Sequence, residues 1–222
     1  MKIVSWNCNG KFRDKFKQIT ACHADIYVIQ ECENPDLCSS KAYLEFSKNS
    51  FWLGVNKNRG IGIFAKDTIY MEKLNWNSNG LKYFLPVRIN HQLDILGVWA
   101  CKPYIEEYYV YQNMNIDKYG LNTMIIGDFN SNKIWDKGHG TRNHSAVVNQ
   151  LRQIGLESVY HYAYSEAQGE ETQKTFYLYR HIDKGFHIDH CFANVSYVKH
   201  YSILSDQTWL NYSDHLPLVL EL

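Results

Sequence analysis

The chain alternates short apolar runs with amphipathic stretches, and its first thirty residues show this most clearly. Residues 2–6 form a β-rich run, and residues 25–30 form a second apolar run of strand length. Between them, residues 11–22 place Phe12, Phe16 and Ile19 at helical spacing. A strand, a helix and a strand in this order predict two parallel strands covered by the helix.

The same reading predicts further strands and two longer helices along the rest of the chain. A helix is expected over residues 103–120, with an apolar stripe of Ile105, Tyr108, Tyr109 and Ile116, and another over 145–154, with Gly155 as its stop. Strands are expected at residues 51–54, 61–66, 83–89, 93–100, 123–127, 175–179, 187–193, 195–202 and 216–222, with a turn at 56–60. About ten strands exceed one comfortable sheet, so we expect an α/β fold of two packed sheets flanked by helices. The 222 residues fit one domain, residues 1–222.

Composition narrows the class of protein. The 23 Lys and Arg residues balance the 23 Asp and Glu residues, which argues against a strongly basic protein that coats nucleic acid. The longest apolar run, residues 95–101, is far shorter than the ~20 residues that span a bilayer, and no secretory signal is evident. The six cysteines form no C-x-x-C pair. We therefore expect a cytoplasmic protein with reduced cysteines and neither a membrane nor an obligate protein partner.

Polar residues stand at the ends of the apolar runs. They are Asn7, Glu31, Asp128 with Asn130, Asp189, and Asp214 with His215. Taken singly, each is most often a turn or cap residue. A carboxylate beside a buried strand is costly unless it is paired, capped or bound to a cation. If these residues converge, they form an oxygen-rich site that suits Mg²⁺, with Mn²⁺ as substitute, better than zinc.

Five short motifs carry a family resemblance that runs from the first strand to the last. They are W-N-C-N-G at 6–10, I-Q-E at 29–31, G-D-F-N at 127–130, I-D-H at 188–190 and S-D-H-L-P at 213–217. Their order resembles the endonuclease/exonuclease/phosphatase superfamily, which includes exonuclease III, the abasic-site endonucleases and pancreatic-type deoxyribonuclease. The resemblance implies a four-layer α/β sandwich and Mg²⁺-dependent hydrolysis of phosphodiester bonds, with DNA as the expected substrate.

The resemblance also implies roles for the strand-end residues. Glu31 is similar to the principal metal carboxylate, with Asn7 and Asp214 near the metal directly or through water. Asp128 resembles the residue that orients or deprotonates the attacking water, and Asn130 helps to position that water.

His215 resembles the imidazole that donates to a non-bridging phosphate oxygen, and Asp189 would accept its other N–H. A carboxylate beside an imidazole raises the pKa of the imidazole and keeps the cation available near neutral pH.

One position departs from the family pattern. Members similar to exonuclease III carry Tyr, and those similar to deoxyribonuclease carry His, where this chain has Trp99. An indole cannot act as a general acid, although its N–H can donate a hydrogen bond. Lys102 or Tyr104 could stand in, or metal-bound water could protonate the leaving group.

Two segments are candidates for substrate binding. The loop after Asn130 offers Lys133, Lys137 and Arg142 to phosphates, with Asn143 or His144 beside them, although a solvated loop ending in a helix cap is equally expected. In the run at 175–180, Phe176 or Tyr177 could stack on a base or fill an abasic gap, whereas strand alternation favours core packing for half of these residues.

Three functions therefore compete. The first is a metal-dependent DNA nuclease, and the second is a phosphatase or phosphodiesterase of small phosphate esters on the same scaffold. The third is a catalytically silent nucleic-acid-binding module, against which the intact set of Glu31, Asp128, Asn130, Asp189 and His215 argues. The sequence leaves open endonuclease against exonuclease action and any preference for abasic sites.

Overall fold

A computed structural model describes all 222 residues as two six-stranded sheets packed face to face, with helices on the outer faces. The strands are β1 (Lys2–Asn7), β2 (Ile26–Cys32), β3 (Ser50–Asn56), β4 (Arg59–Ala65), β5 (Met71–Lys73), β6 (Phe84–Ile89), β7 (Leu93–Trp99), β8 (Thr123–Asp128), β9 (Glu157–Ser158), β10 (Phe176–Tyr177), β11 (Gly185–Phe186), β12 (Asp189–Ala193), β13 (His200–Ile203) and β14 (Leu218–Glu221). The helices are α1 (Phe12–Thr20), α2 (Lys41–Phe46), α3 (Ile105–Asn115), α4 (His144–Gln153) and α5 (Val159–Tyr164). The predicted four-layer α/β sandwich is confirmed. Each of the helices falls short of the length and apolar character that a bilayer crossing requires.

Both sheets are mixed. The first has the order β13-β14-β1-β2-β4-β3 and the second the order β5-β6-β7-β8-β12-β9, while β10 and β11 form a separate ribbon. The pairs β1–β2 and β7–β8 are parallel, and the other neighbours are antiparallel. The parallel β1–β2 pair, connected through α1, confirms the strand–helix–strand unit predicted at the start of the chain.

The core consists of one inner and two outer parts. The inner part lies between the sheets and holds residues such as Val28, Ile126 and Leu218. One outer part lies beneath α3 and α4, and the other packs aromatic side chains of α1 and α2, including Phe12, against the first sheet. Each sheet is therefore covered on both faces, so a polar side chain within a strand must find a partner, as Ser5 does with Gln30.

Several predicted elements differ from the observed ones. The expected strand at 175–179 ends at Tyr177, because Tyr179 and Arg180 take left-handed backbone conformations. The strand expected at 195–202 begins only at His200, since the Asn194 side chain accepts a hydrogen bond from the backbone of Ser196 and caps a 3₁₀ turn. These breaks come from local turn chemistry that an apolar pattern does not report.

The helix expected over 103–120 is also shorter, and it turns a different face inward. It spans Ile105–Asn115 and buries Tyr111, Gln112 and Asn115 besides the predicted Ile105 and Tyr108, while the predicted Tyr109 and Ile116 are only half-buried. Helices α2 and α5 and the short strands β5, β9 and β11 were not predicted, because each is seven residues or shorter and carries little periodicity.

Candidate active site

Chain topology brings the strand-end polar residues to one edge of the sandwich. Asn7, Glu31 and Asp128 lie at or next to the carboxyl ends of β1, β2 and β8. Strand β12 runs antiparallel to β8, with Asp189 opposite Asp128, so it begins where β8 ends. Strand β14 is likewise antiparallel to β1, which places His215, just before β14, at the same edge.

Asp128 is fully buried and receives three hydrogen bonds. Its Oδ2 accepts from Asn7 Nδ2 at 2.8 Å and from Asn130 Nδ2 at 3.0 Å, and its Oδ1 accepts from the backbone N–H of Asn130 at 2.8 Å. Asn130 Nδ2 also donates to the carbonyl of Ala100 at 3.1 Å. The carboxylate is thus fixed in one orientation, with Oδ2 toward the centre of the cluster.

The turn that carries these groups needs glycine at one place. Gly127 has φ +147°, and a Cβ atom there would lie 2.0 Å from the carbonyl oxygen of Val98. Asn130 follows with φ 47°, a left-handed conformation that asparagine tolerates better than most residues. The G-D-F-N motif therefore provides the backbone shape that turns Asp128 and Asn130 toward each other.

His215 lies between two carboxylates. Its Nδ1 is 2.9 Å from Asp189 Oδ2, and its Nε2 is 4.0 Å from Asp128 Oδ2. All three side chains are almost fully buried. With Nδ1–H donating to Asp189, the Nε2–H faces the space in front of Asp128.

Three side chains outside the predicted set support this arrangement. Thr175 Oγ1 accepts hydrogen bonds from the backbone N–H groups of Ile188 and Asp189, both at 3.0 Å. Ser213 Oγ donates to the carbonyl of Asn7 at 2.7 Å and accepts from the N–H of His215 at 3.0 Å. Trp6 Nε1 donates to the carbonyl of His215 at 3.0 Å. Ser213 and Trp6 stand inside recognised motifs, whereas no sequence signal marks Thr175.

Burial and charge set the protonation of the cluster. Burial raises the pKa of Asp128 to about 7, against the opposing effect of His215. Burial alone would lower the pKa of His215, but the charges of Asp189 and Asp128 outweigh it and raise that pKa to about 10. His215 is therefore a cation at neutral pH, while Asp128 is poised to take up or release a proton.

Glu31 and Asn7 lie beside this cluster. Asn7 Nδ2 is 3.4 Å from Glu31 Oε1, so the amide links Glu31 to Asp128. Glu31 Oε2 is buried and accepts no hydrogen bond, and the Arg59 guanidinium lies 3.3 Å away. A buried carboxylate oxygen without a hydrogen bond is what a metal ligand looks like before a cation binds. Asp214 stands half-buried at the same edge, with its charge felt at His215.

Two sets of groups could hold a metal ion. Asp128, Asp189 and His215 present ligand atoms within 4.8 Å of one another. In that set the charged His215 already neutralises the two carboxylates, and its Nδ1–H donates to Asp189. The oxygen donors of Glu31, Asp214 and Asn7 include an unsatisfied oxygen and match the preference of Mg²⁺ and Mn²⁺.

A largely apolar pocket adjoins the cluster. Its volume is about 630 Å³, and Asn130 forms part of its wall. Phe176, whose ring lies 4.7 Å from that of His215, connects the pocket to the buried cluster. The remaining lining residues are Tyr104, Ile134, Trp135, Lys137, Gly138, His139, Leu178, Phe186 and Ile188. Of these residues, the sequence had suggested a role only for Lys137, as a phosphate contact, and for Tyr104, as a stand-in for Trp99.

The predicted substrate-binding residues lie in different places. Lys137 lines the pocket beside the cluster, whereas Lys133 lines a separate depression next to α4. Arg142 is exposed and lines neither. Tyr177 packs against the core between the sheets, so Phe176 is the member of that pair that faces the site.

Asn143 and His144 have structural roles at the start of α4, as the helix-cap alternative for this loop predicted. The side chain of Asn143 caps α4 by accepting from the N–H of Ala146 at 2.9 Å. His144 is buried, with its ring nitrogens 3.2 Å from Ser131 Oγ and 3.0 Å from Gln168 Oε1.

Trp99 is a core residue. It is 7% exposed, belongs to the inner core between the sheets, and lies 4.5 Å from the ring of Tyr83. Of the residues considered as its stand-ins, Tyr104 lines the pocket and Lys102 does not.

Comparisons with known proteins agree with the fold and show the family. The model of the Endonuclease/Exonuclease/phosphatase family matches residues 4–215. The 3′-5′ exonuclease from Neisseria meningitidis superposes with a TM-score of 0.74 at 16% identity, over 100% of this chain and 99% of that chain. An AP endonuclease from Archaeoglobus fulgidus gives a TM-score of 0.73 at 16% identity, over 100% and 99%. A 3′ phosphatase from Neisseria, bound to a product DNA hairpin, gives 0.73 at 16% identity, also over 100% and 99%. No curated protein sequence matches the chain.

Proposed function

Because this chain belongs to the endonuclease/exonuclease/phosphatase family, we propose that it is a divalent-metal-dependent nuclease that hydrolyses DNA phosphodiester bonds by attack of water. The observation that carries the proposal is the buried line Asp189–His215–Asp128, beside a Glu31 oxygen that accepts no hydrogen bond. A binding module would gain nothing from burying two carboxylates and a charged imidazole at such cost.

Asp128 and His215 have different roles in the proposed hydrolysis. Asp128, with a pKa of about 7, takes the proton of the attacking water, and the two asparagines that donate to it hold its Oδ2 in place. His215, kept cationic by Asp189, donates its Nε2–H to a phosphate oxygen and stabilises the charge that develops there.

Members of this family use divalent metal ions. We propose that Glu31 holds a Mg²⁺ ion here, with Mn²⁺ as substitute, and that Asn7 and Asp214 approach it directly or through water. The ion supplies Lewis-acid stabilisation of phosphate charge. Trp99 cannot protonate the leaving oxygen, so this proton is assigned to water or to Tyr104, which lines the adjoining pocket.

The pocket narrows the kind of DNA substrate. Its aromatic and aliphatic walls begin at Asn130 and Phe176, directly beside the phosphate-binding imidazole. A space of this size and character accepts an uncharged ring, such as a base-free sugar, next to the scissile phosphate. This favours cleavage at abasic sites or removal of groups at 3′ ends over indiscriminate cutting.

The same pocket is also compatible with a second function, hydrolysis of small phosphate esters. A phosphatase of small phosphate esters would use the identical cluster and place its uncharged group against Trp135 and Phe186. The zero net charge of the chain is compatible with such a substrate, since DNA affinity rests on neutralised phosphates. The cytoplasmic location and the absence of an obligate protein partner stay predictions.

A panel of labelled substrates tests the proposal. It contains a duplex with one abasic site, the matched intact duplex, a duplex with a 3′-phosphate end, and nucleotides and inositol phosphates, each with Mg²⁺ and with EDTA. We expect a metal-dependent cut at the abasic site or release of the 3′ phosphate. Phosphate release from small esters with every duplex intact would replace the nuclease by the phosphatase.

A further inference from the structure

The Arg59 side chain lies beside Glu31 without a firm partner. It is the first residue of β4, directly after the tight turn that follows β3. Its Nη1 lies 3.3 Å from Glu31 Oε2, and its side chain is 54% exposed. The guanidinium also lies near Gly10, where a Cβ atom would be 3.9 Å from Nε and Nη2. Arg59 thus covers the loop after β1 as well as Glu31.

The contact with Glu31 is weak for an arginine–carboxylate pair. Glu31 Oε2 receives no aligned hydrogen bond, although it is buried. Elsewhere in the chain, Arg88 forms two hydrogen bonds to Asp94 at 2.7 and 2.9 Å. A half-exposed ion pair without a bidentate bond contributes little, so the guanidinium can leave at small cost.

A divalent cation and Arg59 compete for the same oxygen. A cation bound at Glu31 Oε2 would lie close to the Arg59 guanidinium, and the two positive charges would repel each other. A guanidinium displaced from Glu31 stays near the phosphate that binds there, and its planar fork matches phosphate oxygens.

We propose that Arg59 is a substrate-binding residue with two positions: it neutralises Glu31 in the metal-free protein and binds the substrate phosphate once a divalent cation occupies Glu31. This rests on the proposed function of the site. It also makes a distinctive claim, that one side chain weakens metal binding while it strengthens substrate binding.

Arg59→Ala and Arg59→Lys test the claim, with Arg152→Ala as the control. Arg152 forms an exposed ion pair with Glu157 at 3.8 Å, and its replacement changes the net charge equally. Metal-free proteins are titrated with Mn²⁺, and free Mn²⁺ is followed by electron paramagnetic resonance without any substrate. The KM and kcat for the labelled abasic duplex are then measured at saturating Mg²⁺.

For Arg59→Ala we expect Mn²⁺ to bind about three- to tenfold more tightly, because a competing positive charge is lost. We expect KM to rise about five- to twentyfold with a smaller change in kcat. Arg59→Lys should lie between alanine and wild type, and the control should match wild type in both measurements.

Unchanged or weaker Mn²⁺ binding by Arg59→Ala would overturn the competition, and an unchanged KM would overturn the phosphate contact. If the proposed function itself is wrong, the wild type will cleave no duplex. The Mn²⁺ titrations of wild type and Arg59→Ala would still show whether Arg59 competes with the metal, because they need no substrate.

Discussion

Asp189→Asn removes one charge from the site and leaves its shape nearly unchanged. The asparagine oxygen can still accept the hydrogen bond from His215 Nδ1, which spans 2.9 Å in the wild type. The backbone of residue 189 stays anchored, because its N–H donates to Thr175 Oγ1. The substitution therefore separates the charge of Asp189 from its role in positioning the imidazole.

The magnitude follows from the pKa of His215. Burial lowers that pKa, yet the carboxylates raise it from 6.5 to about 10, with Asp189 the largest raising influence. Losing this charge lowers the pKa by about 1–3 units. In the wild type, the raised pKa of His215 stabilises the folded state fully below pH 6.5, and this stabilisation is lost as pH rises through about 10. Near pH 7 the free energy of unfolding of the variant is therefore about 1.4–4 kcal/mol lower than that of the wild type.

Two measurements read this effect. Imidazole NMR should show His215 of the variant titrating between about pH 7 and 9, whereas the wild type stays protonated beyond that range. The kcat/KM of the variant should fall about two- to 10²-fold below wild type at pH 9, where the His215 cation is depleted, with a smaller deficit at pH 6, because the cation returns in acid. Asp117→Asn, at an exposed position, is the control. A deficit that is constant with pH would refute the assigned role of the charge.

Three further predictions concern the scaffold. Gly127→Ala should unfold at much lower denaturant, with a loss of about 3 kcal/mol or more, because its Cβ would collide with the Val98 carbonyl; an unchanged midpoint would contradict this. Trp99→Phe should keep kcat within about tenfold of wild type while losing about 1–3 kcal/mol, since the indole packs in the core and transfers no proton; a kcat loss of about 10³ would show otherwise. Burial lowers the pKa values of His144 and His187 to about 4. Above pH 6.5 each neutral histidine therefore contributes about 3 kcal/mol to the free energy of unfolding, and this contribution is lost as pH falls toward 4. Equilibrium unfolding should show this slope, and His144→Gln should flatten it even though the raised pKa of Asp128 acts in the opposite direction.

The fold, and the meeting of the strand-end polar residues at one edge, could be predicted from the sequence because both depend on local signals at strand ends. Asn7 and Asp128 are 121 residues apart, yet each directly ends an apolar run, and packed strands bring such ends together. The motifs then added the four-layer α/β sandwich through a family likeness, while the order of the strands within each sheet came only from the structure. Sheet edges and short helices were predicted less well, because a two-residue strand such as β9 has no period to detect.

Contacts that depend on three-dimensional neighbours were beyond the sequence. Thr175 supports Asp189 through two hydrogen bonds, but nothing next to it in the chain signals that role. The position of Tyr177 could not be separated from that of Phe176, since alternation alone does not say which face of a short strand meets the site. Arg59 was one residue of a turn signal, and only the structure places it over Glu31.

The most direct test of the account is single-turnover cleavage of the abasic duplex at saturating Mg²⁺ by wild type and by Asp128→Asn. Asparagine keeps the size of residue 128 but cannot take a proton from water. We predict that the variant binds the duplex with wild-type affinity and cleaves it at least about 10³-fold more slowly. Cleavage by the variant at the wild-type rate would contradict the assignment of Asp128 as the base and the site as it is described.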